Sequence, residues 1–315
     1  MVKISVIIPT CNDERYISKC LETLKNQKFG DFETIIVDGH SKDKTVEIAK
    51  KYGAEIEYEK IGTAWAACNV GAGVAKGEIL VFTDADAYFQ ENWLSDIQKE
   101  FESDKELVAW GGEDILGEAG DYFEMAVFQI DLARLGGNVD PKKRIRGCNC
   151  AFRRDIFLAE DGFDPRLSSM GEQELLCRLA EKKHKMKFNP KIYVYHHRRK
   201  NFGELFKQFF RNGIGTMNAM VIGKRIYSTS HILPLFSIPA FVFWILFLAA
   251  ETTYILIFIA IYVLSLVFRG AITVAKTRKL EYTLILPIII ATREIAFGMG
   301  LFYGVFTSKK PAKKM

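Results

Sequence analysis

Hydrophobic positions divide the 315-residue chain into two regimes. As far as about residue 230, short apolar runs alternate with amphipathic stretches; beyond it Ile, Leu, Phe, Val and Ala dominate. Within the first regime Lys3–Pro9 is a β-branched run and predicts a strand. Glu14–Lys25 has helical spacing, with Tyr16, Ile17, Cys20, Leu21 and Leu24 on one face. Glu33–Val37 is a short apolar strand that ends at Asp38. Ser41 and Asp43 are placed to cap a helix running to Tyr52. Ala54–Tyr58 is a third strand, Thr63–Ala75 a helix, and Glu78–Thr83 a strand that ends at Asp84. This alternation predicts an α/β domain with a doubly wound, mostly parallel sheet. Ligands of such sheets bind beyond the carboxyl ends of the strands, where Asp38 and Asp84 fall.

The pattern is less regular further on. Trp110–Leu116, Cys148–Phe152 and Lys187–Tyr195 predict strands; Tyr122–Leu135, Gly171–Lys182 and Asn201–Met220 predict helices, with a basic loop over Arg134–Arg146. The apolar tail holds three segments of membrane-spanning length. Ile232–Ala250 and Thr252–Phe268 meet at Glu251 and are expected to form a hairpin. Tyr282–Phe306 carries Arg293 and Glu294 near its middle and is expected to be broken, re-entrant or interfacial. The alternative is a plain third span whose Arg293–Glu294 pair the other helices shelter. The boundary is expected near residue 225, with a domain over 1–225 and a membrane tail over 226–315.

Charge sharpens this division. After Ser230 there are nine Lys/Arg against three Asp/Glu; the remaining 34 and 35 nearly cancel. The positive excess therefore belongs to the tail, which fits an anionic membrane face and not a nucleic-acid surface. Lys224 and Arg225 precede the hairpin, and Arg269, Lys276, Arg278 and Lys279 follow it, so both flanks are expected on the cytoplasmic side. The apolar run Ile4–Ile8 is too short for a signal peptide. A multi-pass protein of the plasma membrane with its main domain in the cytoplasm is the expectation, with its six cysteines as free thiols.

The candidate chemistry lies at the strand ends. In Thr83-Asp84-Ala85-Asp86, two carboxylates two residues apart follow an apolar strand, a pattern suited to sharing one hard divalent cation that bridges a nucleoside diphosphate. Asp38 is placed to accept from a base or a ribose hydroxyl; a turn or cap role is its alternative. Pro9-Thr10-Cys11-Asn12 closes the first strand. No GxGxxG or GxxxxGK follows, which argues against a dinucleotide fold and a P-loop kinase.

Six stretches carry a family resemblance: SVIIPTCNDERYISKCLETLKNQ, IIVDGHSKDKT, AWAACNVGAGVAKGEILVFTDADA, RGCNCAFRRDIF, DGFDPRLSSMGEQELLCRL and QFFRNGIG. In this order, over about residues 1–216, they resemble glycosyltransferase family 2, whose members have the GT-A fold. The resemblance implies an inverting, hexosyltransferase-type enzyme that binds a UDP- or GDP-sugar with Mg²⁺ or Mn²⁺. It implies that Pro9, Thr10 and Asp38 border the nucleoside, with Asn12 and Asn69 in the donor set, that Asp84 lies near ribose or sugar, and that Asp86 ligates the metal. His196 is a further candidate for the metal or diphosphate, and Arg211 for the diphosphate or acceptor; each also has an ordinary structural alternative. The general base falls on Glu172 when the acidic motif is aligned on Leu175 and Arg178, with Glu174 in reserve. Cys68 stands where the family often has Arg before Asn69, and Asn212 where its processive polymerases have Trp, which points to few transfers per acceptor.

The tail suggests a membrane-associated acceptor: a lipid-linked glycan, a glycolipid or a polyprenyl phosphate. A nucleotidyltransferase acting on a sugar phosphate, and an inactive membrane-tethered GT-A scaffold, are the competing classes. The first normally shows a Gly-rich basic loop that PTCNDERY does not supply. The second is disfavoured by intact Asp38, Asp84 and Asp86.

Overall fold

A computed structural model describes residues 2–117, 120–133, 140–141, 144–223 and 252–307. The chain forms two compact units. The first comprises Met1–Gly117 and Asn138–His197; the second comprises Glu118–Gly137 and Arg198–Met315.

In the first unit the chain runs β1 (Ile4–Thr10), α1 (Ile17–Lys25), β2 (Phe32–Asp38), α2 (Thr45–Lys51), β3 (Glu55–Tyr58), α3 (Ala64–Val74), β4 (Ile79–Phe82), β5 (Ala87–Phe89), α4 (Trp93–Ser103) and β6 (Leu107–Ile115). The second unit then takes α5 (Tyr122–Leu132), before β7 (Cys150–Arg153), α6 (Arg154–Ala159), α7 (Gly171–Glu181) and β8 (Lys185–His196) complete the first. One eight-stranded sheet results, in the order β3-β2-β1-β4-β7-β6-β8-β5. The strands β3, β2, β1 and β4 are mutually parallel. The sheet becomes mixed at β7, which is antiparallel to both β4 and β6, and again at β5, antiparallel to β8. The α/β class with a GT-A-type sheet is therefore as expected.

Alternation along β1 explains the continuous apolar runs. Ile4, Val6 and Ile8 enter one buried cluster and Ile7 enters the other, so both faces of the strand are covered. The helix α4 was absent from the sequence reading, although Trp93, Ile97 and Phe101 recur at four-residue spacing and are all buried. The short strand β5 and helix α6 were also absent, because three and six residues carry too little periodicity to register.

The second unit is helical. With α5 it contains α8 (Phe202–Gly223), α9 (Thr252–Thr277) and α10 (Ile285–Thr307). Ala126, Val127 and Ile130 of α5, Leu205 of α8, Leu266 and Val274 of α9, and Leu286, Ile289 and Ile290 of α10 share one buried cluster. In this division α5 and α8 fall with the tail helices. Within this unit Ile259–Thr277 and Ile285–Thr307, both of mean hydropathy 1.7, are long and apolar enough to cross a membrane.

The expected span Ile232–Ala250 and the basic C-terminus lie outside the described residues. Of the expected broken, re-entrant or interfacial forms of the third segment, the broken one does not occur: Ile285–Thr307 is one continuous helix, α10. Its polar residues also choose other partners. Neighbouring side chains on a helix diverge by about 100°, so Arg293 meets Asp131 of α5 at 3.3 Å while Glu294 meets Arg269 of α9 at 2.6 Å.

Helices α8 and α10 approach until their backbones touch. A Cβ on Gly213 would collide with the carbonyl oxygen of Phe297, and one on Gly300 with that of Phe210. Small residues allow such contact between apolar helices. Gly300→Val is therefore expected to destabilise the chain by about 2–4 kcal/mol, whereas Gly73→Ala in α3, where a Cβ meets open space, is expected to stabilise it by about 1 kcal/mol. Thermal unfolding of the two variants checks both signs.

Candidate active site

The site builds from strand ends in the first unit. Parallel register sets Thr10 of β1 opposite Asp38 of β2, and β4 ends at Phe82 immediately before Thr83 and Asp84. Thr83 donates its hydroxyl to the carbonyl of Cys148 at 2.8 Å, which fixes the start of the acidic turn. Antiparallel pairing of β5 with β8 sets Ala87 opposite His196, and so brings Asp86 to the imidazole.

His196 Nε2 lies 3.0 Å from Asp86 Oδ1 and 3.4 Å from Asp84 Oδ2, and its Nδ1 lies 3.9 Å from Asp114 Oδ2. Burial by itself would lower the imidazole pKa; Asp86 and Asp84 reverse that and push it up to about 10. Asp13, in the loop after β1, belongs to the same negative field. Burial is the main cause that lifts its pKa to about 6, and Asp86 and Asp84 add to it.

Asp84, Asp86 and His196 each offer a ligand atom, and these atoms lie within 4.8 Å of one another. Two carboxylates and one imidazole suit a hard or borderline divalent ion; the nitrogen donor favours Mn²⁺ over Mg²⁺. Asp114 sits on the far side of the imidazole, where a carboxylate orients a metal-binding histidine. The donor set therefore fits the implied ion. Asp114, Cys148 and His196 form a second, overlapping group, which shares the histidine.

Glu172 stands in the first turn of α7. Burial pushes its carboxyl pKa up to about 7, opposed by a backbone hydrogen bond and by Arg146, while Asp84 raises it further. Its Oε2 is buried with no hydrogen-bond partner among the described residues. Glu174, two residues further along the same turn, is the opposite case. Both its oxygens accept from Arg178, at 2.8–3.0 Å, and Arg178 also donates to the carbonyl of Gly162. Glu174 is thus held in a brace, whereas Glu172 keeps one oxygen without a hydrogen-bond partner among the described residues.

Other expected residues are placed as follows. Asp38 is buried, and it accepts from the Ser41 hydroxyl at 2.5 Å and the Ser41 amide at 2.9 Å. Thr10 donates to it at 3.4 Å; Pro9 precedes Thr10 in β1. Asn12 has a left-handed backbone, φ 59°, and its side-chain oxygen accepts from the Lys42 amide. Asn69 spends both ends of its amide on the backbone of Phe163, at 2.7 and 2.9 Å. Cys68 is buried close enough to Asp84 and Glu172 for both carboxylates to act on it. Arg211 is exposed on α8 of the second unit, where its Nε donates to the Lys207 carbonyl at 3.4 Å. All six cysteines are free thiols.

Three site residues escaped the sequence reading. Asp13 lay in a loop dense with polar residues. Asp114 is the penultimate residue of the apolar strand β6, much as Asp38 ends β2 and Asp84 follows β4, and that signal was available. Arg146 is within 3.4 Å of Asp114 and acts on Glu172; only the folded chain shows this.

The family model of glycosyl transferase family 2 matches residues 5–158. The chain belongs to glycosyltransferase family 2. Glycosyltransferase AglE of Haloferax volcanii is 27% identical over 237 residues, 70% of this chain and 75% of that protein. A Methanococcus voltae dolichyl N-acetyl-α-D-glucosaminyl phosphate 3-β-D-2,3-diacetamido-2,3-dideoxy-β-D-glucuronosyltransferase is 25% identical over 98% of this chain and 99% of its own length. Poly(ribitol-phosphate) β-N-acetylglucosaminyltransferase TarS of Staphylococcus aureus is 31% identical, but the match spans only 32% of it. Among solved structures, mannosyltransferase PcManGT of Pyrobaculum calidifontis, in complex with GDP-Man and Mn²⁺, superposes with a TM-score of 0.69 at 16% identity, over 98% of this chain and 88% of that one. The fold of this family 2 member is therefore that of GT-A glycosyltransferases.

A divalent ion at Asp84, Asp86 and His196 would neutralise the crowded aspartates only in the folded state. Mn²⁺ at about a hundred times its dissociation constant is expected to stabilise the chain by about 2.7 kcal/mol. Differential scanning calorimetry with and without Mn²⁺ checks this, and Asp86→Ala is expected to abolish the shift.

Proposed function

We propose that this family 2 member transfers a sugar, with inversion, from a UDP- or GDP-sugar to a hydroxyl of a membrane-associated acceptor such as a lipid-linked glycan or glycolipid. The observation that carries this reading is Glu172, half-buried overall, whose buried Oε2 has no hydrogen-bond partner among the described residues and whose pKa is lifted to about 7, in the same field as Asp84. A base poised near neutrality is matched to an alcohol acceptor. A polyprenyl phosphate acceptor is already anionic and needs none.

In this reading Asp84, Asp86 and His196 would hold the divalent ion, which when bound supplies positive charge to the leaving diphosphate. Asp13 and Asp114 border that position. Asp38 and Thr10 close the nucleoside end, with Ser41 fixing the Asp38 carboxylate. Pro9 and Asn12 shape the same loop, Asn69 ties α3 to the backbone of Phe163, and Arg146 stands as the cation toward the acidic centre. Glu172 takes the proton of the acceptor hydroxyl as its oxygen attacks the anomeric carbon opposite the diphosphate. Glu174 and Arg178 keep the first turn of α7 in place.

The membrane acceptor draws support from α9 and α10, and from the dolichyl-phosphate-linked substrate in the name of the Methanococcus relative. A plasma-membrane location with the first unit on the cytoplasmic face is part of the proposal, since nucleotide-sugars are cytoplasmic and Arg269, Lys276, Arg278 and Lys279 follow the apolar stretch.

A panel of UDP- and GDP-sugars with Mn²⁺ and membrane extract is expected to release nucleoside diphosphate and label an extractable lipid. Release of pyrophosphate instead would assign a nucleotidyltransferase. The base must be ionised to act, so kcat/KM is expected to rise with pH through about 7. Glu172→Gln is expected to lose that limb and about 10²–10⁴-fold in rate; steady-state kinetics from pH 5 to 9 checks it. A glutamine variant with the parental profile would remove Glu172 from the mechanism.

A further inference from the structure

His196 belongs to two groups of ligand atoms, and its ring nitrogens face different ones. Nε2 is turned to Asp86 and Asp84, at 3.0 and 3.4 Å. Nδ1 is turned to Asp114 Oδ2, at 3.9 Å. On that second side a sulfur joins in: one ligand atom each of Asp114, Cys148 and His196 lie within 4.8 Å of one another. Asp114 and Cys148 are both buried. The proposed transfer gives the Cys148 thiol no role.

The fold holds these side chains in a fixed frame. Asp114 comes from β6, His196 ends β8, and Cys148 lies in the turn Gly147–Asn149 that leads into β7. Asn149, wholly buried, ties the three elements together. Its amide nitrogen donates to the carbonyl of Glu113 at 2.8 Å and to that of Ile192 in β8 at 3.2 Å, and its oxygen accepts from the Trp93 indole at 3.0 Å. The Cys148 carbonyl accepts from Thr83 at 2.8 Å, which pins the cysteine to the start of the acidic turn. Arg146 approaches Asp114 through Oδ1, the oxygen other than the one turned to the imidazole. Donors positioned beforehand by such neighbours are what a metal site requires. Their chemistry selects the ion. Thiolate, imidazole and carboxylate are the ligand types of Zn²⁺, and a sulfur donor discriminates against Mg²⁺ and Mn²⁺. One thiolate and one carboxylate also balance a divalent charge, as burial demands. A neutral imidazole carries its proton on one nitrogen and offers a lone pair on the other, so His196 can serve one group at a time.

We propose that Asp114, Cys148 and His196 form a second metal site, which takes Zn²⁺ through Nδ1 and, when filled, displaces Mn²⁺ from Asp84 and Asp86. The thiol proton passes to solvent as the Zn–S bond forms. The site regulates the centre that the proposed function uses, and rests on that reading only for Mn²⁺ as the ion displaced.

The test uses the full chain in detergent, without nucleotide-sugar, and Co²⁺ as a spectroscopic substitute for Zn²⁺. One equivalent of Co²⁺ is expected to give the near-ultraviolet charge-transfer band of a cobalt–thiolate bond, which Zn²⁺ then bleaches. Cys148→Ser is expected to lose the band, and Cys11→Ser, at an exposed thiol, to keep it. Asp86→Ala is expected to keep it as well, which separates this site from the one at the paired aspartates. In a second measurement the chain is loaded with Mn²⁺, and the aqueous Mn²⁺ signal is followed by electron paramagnetic resonance. One equivalent of Zn²⁺ is expected to release the Mn²⁺, and Cys148→Ser to need at least about tenfold more Zn²⁺ for the same release. Retention of Mn²⁺ by Cys148→Ser before Zn²⁺ is added shows that the variant is folded, and Cys148→Ala repeats the test without a hydroxyl. Absence of the band, its survival in Cys148→Ser, or Mn²⁺ held against one equivalent of Zn²⁺ would each overturn the proposal. A thiolate band in a chain that bound no Mn²⁺ would support this site and refute the metal half of the proposed function.

Discussion

Negative charge gathered at the ends of strands is the constraint on which the first unit depends. Asp84 and Asp86 share the Nε2 of His196, and Asp13 lies in the same field. Two carboxylates about 5 Å apart at a protein surface repel by roughly 3 kcal/mol at an effective dielectric constant near 20. The sheet imposes that proximity: β4 delivers one pair, β8 delivers the histidine, and β5 sets their register. Protonated His196 offsets part of the repulsion when no metal is bound, and a divalent ion would take its place as counter-charge.

The same logic separates two glutamates on one helical turn. Glu174 faces Arg178 four residues on, the spacing at which helical side chains meet, and its charge is spent on holding a loop. Glu172 makes no pair with that arginine, and burial lifts its pKa against one backbone hydrogen bond and the charge of Arg146. Chemical identity is equal; the direction of the side chain from the helix axis decides that one carboxylate meets Arg178 and the other is desolvated with its pKa raised.

The helical unit obeys a different constraint. In lipid, apolar helices would gain little from excluding one another, so close packing would have to supply the attraction. Gly213 and Gly300 permit that contact, and the buried Arg293 is admitted because Asp131 reaches it from α5.

The sequence by itself determined the class of the fold, the positions of Asp38, Asp84 and Asp86, and the apolar character of the tail. These follow from local periodicity and from residue types that recur at strand ends, both carried by contiguous residues. It also singled out His196 and Glu172, but without the neighbours that define their chemistry. Tertiary structure decided the rest. Asp13, Asp114 and Arg146 join the centre through loops and strands distant in sequence, and Asn69 turns out to be bound to Phe163. Arg293 finds Asp131, 162 positions away, in place of the adjacent Glu294. Pairings of that kind depend on how elements pack, and no local pattern of hydrophobic and polar positions encodes them.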